Sequence, residues 1–109
     1  MLGSVIKSCE SIFYDIVKAF LNKVISGDVQ TETRQVLTNI RTILEGCGAS
    51  MSDVVRCGVF LGDANDFAPM NAVYAEFFGD AKPARATVVT GFAVPGIHVE
   101  IEAIAYQPK

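Results

Sequence analysis

Two strand-like runs joined through a helix-like one, all within residues 54–94, constrain this chain more than any other feature. VVRCGVFLG at 54–62 is dense in β-branched and aromatic residues and reads as a largely buried strand. The turn-rich GDAND follows, and its Asp66 is placed to cap a helix whose first turn holds Pro69, where a missing N–H does no harm. Phe67, Met70, Tyr74, Phe77 and Phe78 share one face of that helix, and Gly79 ends it. From Arg85 the chain is extended again through RATVVTGFAV, turns at Pro95 and Gly96, and finishes in HVEIEAIAY. Strand, helix, strand is a crossover unit, which packs right-handed with its helix on one face of the sheet.

Upstream, Asp28 is placed to cap a helix running to about Cys47, with Val36, Leu37, Ile40, Ile43 and Leu44 as its buried face and Gly46 and Gly48 as its stop. Apolar residues from Val5 to Ile25 fall at the spacing of another helical stripe. With 109 residues, half of them hydrophobic, all of this makes one compact α+β domain. Burial between identical subunits is an economical source of extra stability at that size.

The last strand separates its faces cleanly, because side chains alternate with period two. Val99, Ile101, Ala103 and Ala105 suit a helix-covered face, whereas His98, Glu100, Glu102, Ile104 and Tyr106 point the other way. Two carboxylates thus stand on a face no helix covers. By pattern alone that face is either solvated surface or a site, and Arg85 at its strand edge carries the same pair of readings.

Charge excludes some functions. Nine Lys and Arg against twelve Asp and Glu give a net charge of −3 without any like-charge run. Nucleic-acid binding draws most of its affinity from a basic face, and none is visible, so no nucleic-acid partner is expected. Cys9, Cys47 and Cys57 are odd in number and lack CxxC spacing, which suggests neither disulfides nor zinc. Cys47 and Cys57 read as small buried residues, and the lone His98 builds no metal site and receives no role. Lys7, Glu10, Asp15, Lys18 and Lys23 interrupt the N-terminal apolar pattern, so neither a membrane span nor a signal peptide is expected and the location expected is cytoplasmic.

NDF at 65–67, NAVYAEFF at 71–78, PAR at 83–85 and VEIEAIA at 99–105 resemble the C-terminal signature of the RidA (YjgF) family, in its order and at about its spacing. GDVQTETRQVLTNIRTILEGCGAS at 27–50, followed by MSDVVRCGVFL, resembles that family's first long helix and next strand. The resemblance therefore spans about 27–107 as a family-like core, with 1–26 as a divergent segment. It implies a chorismate-mutase-like fold, with helices on one face of a mixed sheet and three subunits packed by the opposite faces around a barrel-like centre. Active sites in such homotrimers lie in clefts between subunits.

The activity implied is hydrolysis of 2-iminopropanoate, 2-iminobutanoate and related imines and enamines to 2-keto acids and ammonia, without cofactor or metal. Arg85 matches the family arginine that holds the substrate carboxylate, which suits a planar fork able to donate two parallel hydrogen bonds. Glu100 matches the glutamate that orients and deprotonates water. Asn71 matches a pocket asparagine, otherwise an ordinary helix-surface residue, and Thr87 stands where many members carry a cysteine near the substrate. Glu102 reads as structural or interfacial. The family's usual N-terminal GPYSQ-like and SGQ motifs, which contribute a pocket tyrosine and glycine, are absent, and Tyr14 has no GP before it. Either Ser26 and Gly27 are a remnant of SGQ and 22–26 is strand, or Val5 to Ile25 is a replacement helix. An alternative function is accordingly a non-catalytic trimer of the same fold that binds a small carboxylate or a protein.

Overall fold

The computed structural model describes residues 28–106. The readings made for Val5–Ile25 and for a strand at 22–26, together with Cys9, fall outside them. Helix α1 spans Val29–Gly46, strand β1 Val54–Leu61, helix α2 Phe67–Phe78, strand β2 Ala84–Val89 and strand β3 Val99–Ala105. The sheet order is β2-β1-β3, with β1 parallel to β2 and antiparallel to β3. The crossover expected between β1 and β2 is therefore present, carried by α2, and the fold is α+β with a mixed sheet.

Local chemistry sets the helix ends. Asp28 Oδ1 accepts from the Thr31 N–H at 2.8 Å and from the Thr31 hydroxyl at 2.9 Å, which starts α1 where the sequence placed it. At its other end Gly48 turns left-handed, with φ +81°, and Ala49 N–H reaches the Leu44 carbonyl at 2.8 Å. Gly79, at φ +55°, ends α2 with its N–H on the Ala75 carbonyl. Asp66 occupies the N-cap position of α2 but accepts no capping bond. The neighbouring Asp63 caps the short 3-10 turn Ala64–Asp66 that leads into α2, accepting from Asn65 N–H at 2.8 Å.

Both helices pack on one face of the sheet. Leu37, Ile40 and Leu44 of α1, Met70 and Val73 of α2, Cys57, Val59 and Leu61 of β1, and Val99 and Ile101 of β3 are buried together. Arg34 and Glu76 tie the helices outside this core through two N–H···O contacts of 2.8 and 3.2 Å. The apolar face of β3 falls as the alternation predicts, buried at every second residue from Val99.

β1 is largely buried, as its composition predicts, with Val55 and Arg56 exposed where the register is irregular. Three expectations need correcting. Cys47 is exposed, because it follows the last turn of α1. The extended run after Arg85 stops at Val89, and residues 90–98 form a loop. Finally, His98 does not share the outward face of β3. It precedes the strand and is held from the helix side by Glu32 of α1, whose side chain is buried. Glu32 Oε1 accepts from the His98 backbone N–H at 2.7 Å, and Oε2 meets the ring Nδ1.

This pair clasps the loop to α1. The Glu32 hydrogen bond holds the His98 pKa above the ordinary 6.5, with Asp66 and Asp28 adding smaller effects in the same direction. A raised histidine pKa adds stability in full below the unfolded value and loses it as pH rises through the folded one. The melting temperature of the protein should therefore exceed that of a His98→Ala variant most clearly below about pH 6.5, with the gap narrowing at higher pH. A gap independent of pH would contradict this account.

Candidate functional site

Arg85 lies on β2, opposite Cys57 of β1, and Thr87 lies opposite Val59. Cross-strand partners share a face, so both side chains stand on the helix side. There Arg85 Nη1 donates to Asn71 Oδ1 of α2 at 2.7 Å. The guanidinium carbon sits 4.6 Å from the Tyr74 ring centroid and 5.6 Å from that of Phe67. Phe67, Asn71, Tyr74 and Phe78 recur at i, i+4, i+7 and i+11, so one stripe of α2 supplies the whole platform. An amide oxygen and two ring faces hold the cation without neutralising it, and no carboxylate pairs with Arg85 among the described residues.

The surroundings are short of hydrogen-bond partners. Thr87 Oγ1 is buried with none among the described residues. The buried Tyr74 hydroxyl has only the weakly accepting Cys57 thiol beside it, and burial pushes the pKa of both groups up. Unpaired buried polar groups beside an uncompensated cation suit a polar anion better than an empty space. A groove of about 500 Å3 opens here, lined by Asn71, Tyr74, Phe78, Lys82, Pro83 and Arg85 among others. Among the described strands β2 is at the edge of the sheet, which leaves Arg85 at its rim.

Glu100 is elsewhere. It pairs with Phe60, out of phase by one with the residues opposite Arg85 and Thr87, and so stands on the face without helices. Burial and the like charge of Glu102 raise its pKa above the ordinary carboxylate value. Glu102 lies over Gly58, where an added Cβ would come within 2.9 Å of Oε1. Arg56, Val88 and Ile104 complete this exposed, mixed apolar and charged surface.

Of the four residues singled out from sequence, Arg85 and Asn71 come together in the groove, Thr87 shares the helix-side face of β2 without lining the groove, and Glu100 stands on the opposite face. Tyr74 and Phe67 were missed as parts of the site because their spacing was read only as one face of a helix. The spacing from Asn71 was the available signal, since both share its stripe. No cluster of three metal-ligating side chains occurs among the described residues, and no helix among them is long and apolar enough to cross a membrane.

A two-helix layer on a mixed three-stranded sheet, with an arginine seated on an aromatic stripe, makes this an α+β protein. Residues 5–107 match the family described as Endoribonuclease L-PSP, so the chain belongs to that family, also called RidA or YjgF. A RutC family protein of Pyrococcus horikoshii is 51% identical over 85 residues, covering 78% of this chain and 68% of that protein. The 2-iminobutanoate/2-iminopropanoate deaminase of Dermatophagoides farinae is 40% identical over 83 residues, 76% of this chain and 65% of that one. Among solved structures, a putative endoribonuclease of Thermotoga maritima superposes with a TM-score of 0.72 at 38% identity, covering 76% of this chain and 65% of its own. The matched stretch therefore spans about two thirds of each relative's length.

Proposed function

We propose that this chain hydrolyses 2-imino acids such as 2-iminobutanoate and 2-iminopropanoate to 2-keto acids and ammonia. The observation that carries the reading is the carboxylate-free seat of Arg85, whose fork is braced by Asn71 and Tyr74 and open to a substrate carboxylate. Family membership and the mite deaminase support the same class of chemistry. The net negative charge disfavours nucleic acid as the substrate.

Arg85 and Glu100 stand on opposite faces of one sheet, so a single copy does not bring both to one substrate. The reading therefore requires an assembly, a homotrimer with sites between subunits, in which Glu100 of a neighbouring copy faces the Arg85 rim. The exposed Val88 and Ile104 beside Glu100 give such packing an apolar component. Once the substrate is held as a protonated imine, Glu100 takes a proton from water as its oxygen bonds to the imine carbon. Glu100 then gives that proton to the carbinolamine nitrogen and takes up the hydroxyl proton, so that the C–N bond breaks and ammonia leaves as the C=O bond forms. A carboxylate with a raised pKa suits both directions of transfer.

Activity should accordingly rise with pH through the elevated Glu100 pKa, because only the carboxylate form accepts the proton. Glu102→Gln removes the like charge and should move this acid limb to lower pH, while burial of Glu100 persists. Gly58→Ala, which displaces Glu102, should move the limb too. An acid limb unmoved in both variants would detach Glu102 from the site.

The direct test is keto-acid release from 2-iminobutanoate generated in situ by a threonine dehydratase. Acceleration by the protein that is lost in Arg85→Ala supports the deaminase. A folded assembly that binds 2-oxobutanoate through Arg85 without accelerating hydrolysis would instead make it a carboxylate-binding module.

A further inference from the structure

The groove beside Arg85 contains a second cation that the deaminase reading leaves unused. Lys82 lines it together with Arg85, in the segment that leads from α2 into β2, and no aspartate or glutamate is among the lining residues. In a chain of net charge −3 this is a local reversal of sign. Neither cation belongs to an ion pair among the described residues, where Arg34–Glu76 and His98–Glu32 are formed instead. Two unneutralised positive groups on one concave surface repel each other and lower the energy of a ligand that is negative at both ends.

Size and shape agree with such a ligand. The groove, about 500 Å3, leaves more room than a four-carbon imine fills. Its wall includes the Tyr74 and Phe78 rings, whose centroids are 4.6 Å apart, an apolar surface suited to methylene groups. Lys82 lies three residues before Arg85, so their Cα atoms are at most roughly 10 Å apart, and the long lysine stem can shorten the distance between the charges. Pro83 lies between them in sequence and also lines the groove, and its ring limits the backbone conformations of that link.

We infer that the groove selects 2-imino acids bearing a second carboxylate, the imino forms of acidic amino acids, with Arg85 on the carboxylate next to the imine and Lys82 on the distal one. This rests on the reading of Arg85 as the substrate's carboxylate anchor. Lys82 is then a specificity-determining residue: it contributes to binding and takes no part in the proton transfers. Lys82 is exposed, and an ammonium suits this role because it discriminates by charge without demanding a fixed geometry.

The test compares the unmodified protein, Lys82→Ala and Lys82→Glu on 2-iminobutanoate and 2-iminoglutarate, both generated in situ, and titrates each protein with 2-oxobutanoate and 2-oxoglutarate by calorimetry. The ratio of kcat/KM for the dicarboxylic over the monocarboxylic imine should fall about three- to fivefold in Lys82→Ala, the range of an exposed ion pair, and further in Lys82→Glu. A ratio unchanged in both variants overturns the inference while leaving the deaminase intact. If neither imine is hydrolysed faster, the deaminase reading fails and the titrations decide. A preference for 2-oxoglutarate that Lys82→Glu abolishes then upholds the inference, and equal affinities overturn it.

Discussion

Replacing Arg85 with lysine should lower kcat/KM for 2-iminobutanoate by on the order of ten- to a hundredfold, corresponding to about 1.5–3 kcal/mol for a broken charge-assisted contact. The positive charge survives in this variant, so the loss isolates geometry. A guanidinium can donate to Asn71 Oδ1 through one nitrogen, lie against the Tyr74 ring and still present donors to a carboxylate. An ammonium at the same position has no planar face to stack and no fork to offer. The loss should appear mainly in KM if the carboxylate contact is equal in ground and transition states, and in kcat if it positions the imine for attack. Initial rates over a range of imine concentrations separate the two, and a lysine variant as active as the parent would remove the seat from the mechanism.

Glu100→Gln should leave 2-oxobutanoate binding nearly unchanged and lower kcat by roughly a hundred- to ten-thousandfold, the usual contribution of a positioned general base. Glutamine keeps the shape of the side chain and can still hydrogen-bond water, but it does not take up the proton. Removing a negative charge near the substrate carboxylate also relieves repulsion, so weaker ligand binding is not expected. Retained affinity with lost turnover separates catalysis from binding, while an unchanged kcat would exclude Glu100 as the base.

Much of this arrangement is legible in the sequence because local chemistry decides it. Asp28 with Thr31 fixes the start of α1 and Gly79 the end of α2, and both act within a few residues. The alternation of VEIEAIA predicts which side of β3 is buried. Long-range partners decide the rest. The stretch after Val89 has strand-like composition, yet it leaves the sheet as a loop that is clasped by Glu32, 66 residues away in sequence from His98. Residues 54–56 follow no simple alternation because the register shifts there. Of the candidate site, Arg85 with Asn71 and Thr87 was found through motif resemblance, whereas Phe67 and Tyr74 were read only as members of one helix face. That Arg85 and Glu100 face opposite ways depends on a strand register, which single residues do not reveal.

That opposition makes subunit mixing the most direct test of the central claim, a deaminase whose site is shared between copies. Arg85→Ala and Glu100→Gln proteins, each inactive alone, are to be unfolded together, refolded as a mixture and assayed for keto-acid release from 2-iminobutanoate. Random assortment should restore about a quarter of wild-type activity, because one site in four then combines an intact Arg85 with an intact Glu100 from its neighbour. A correctly assembled mixture that stays as inactive as its two components would contradict the shared site.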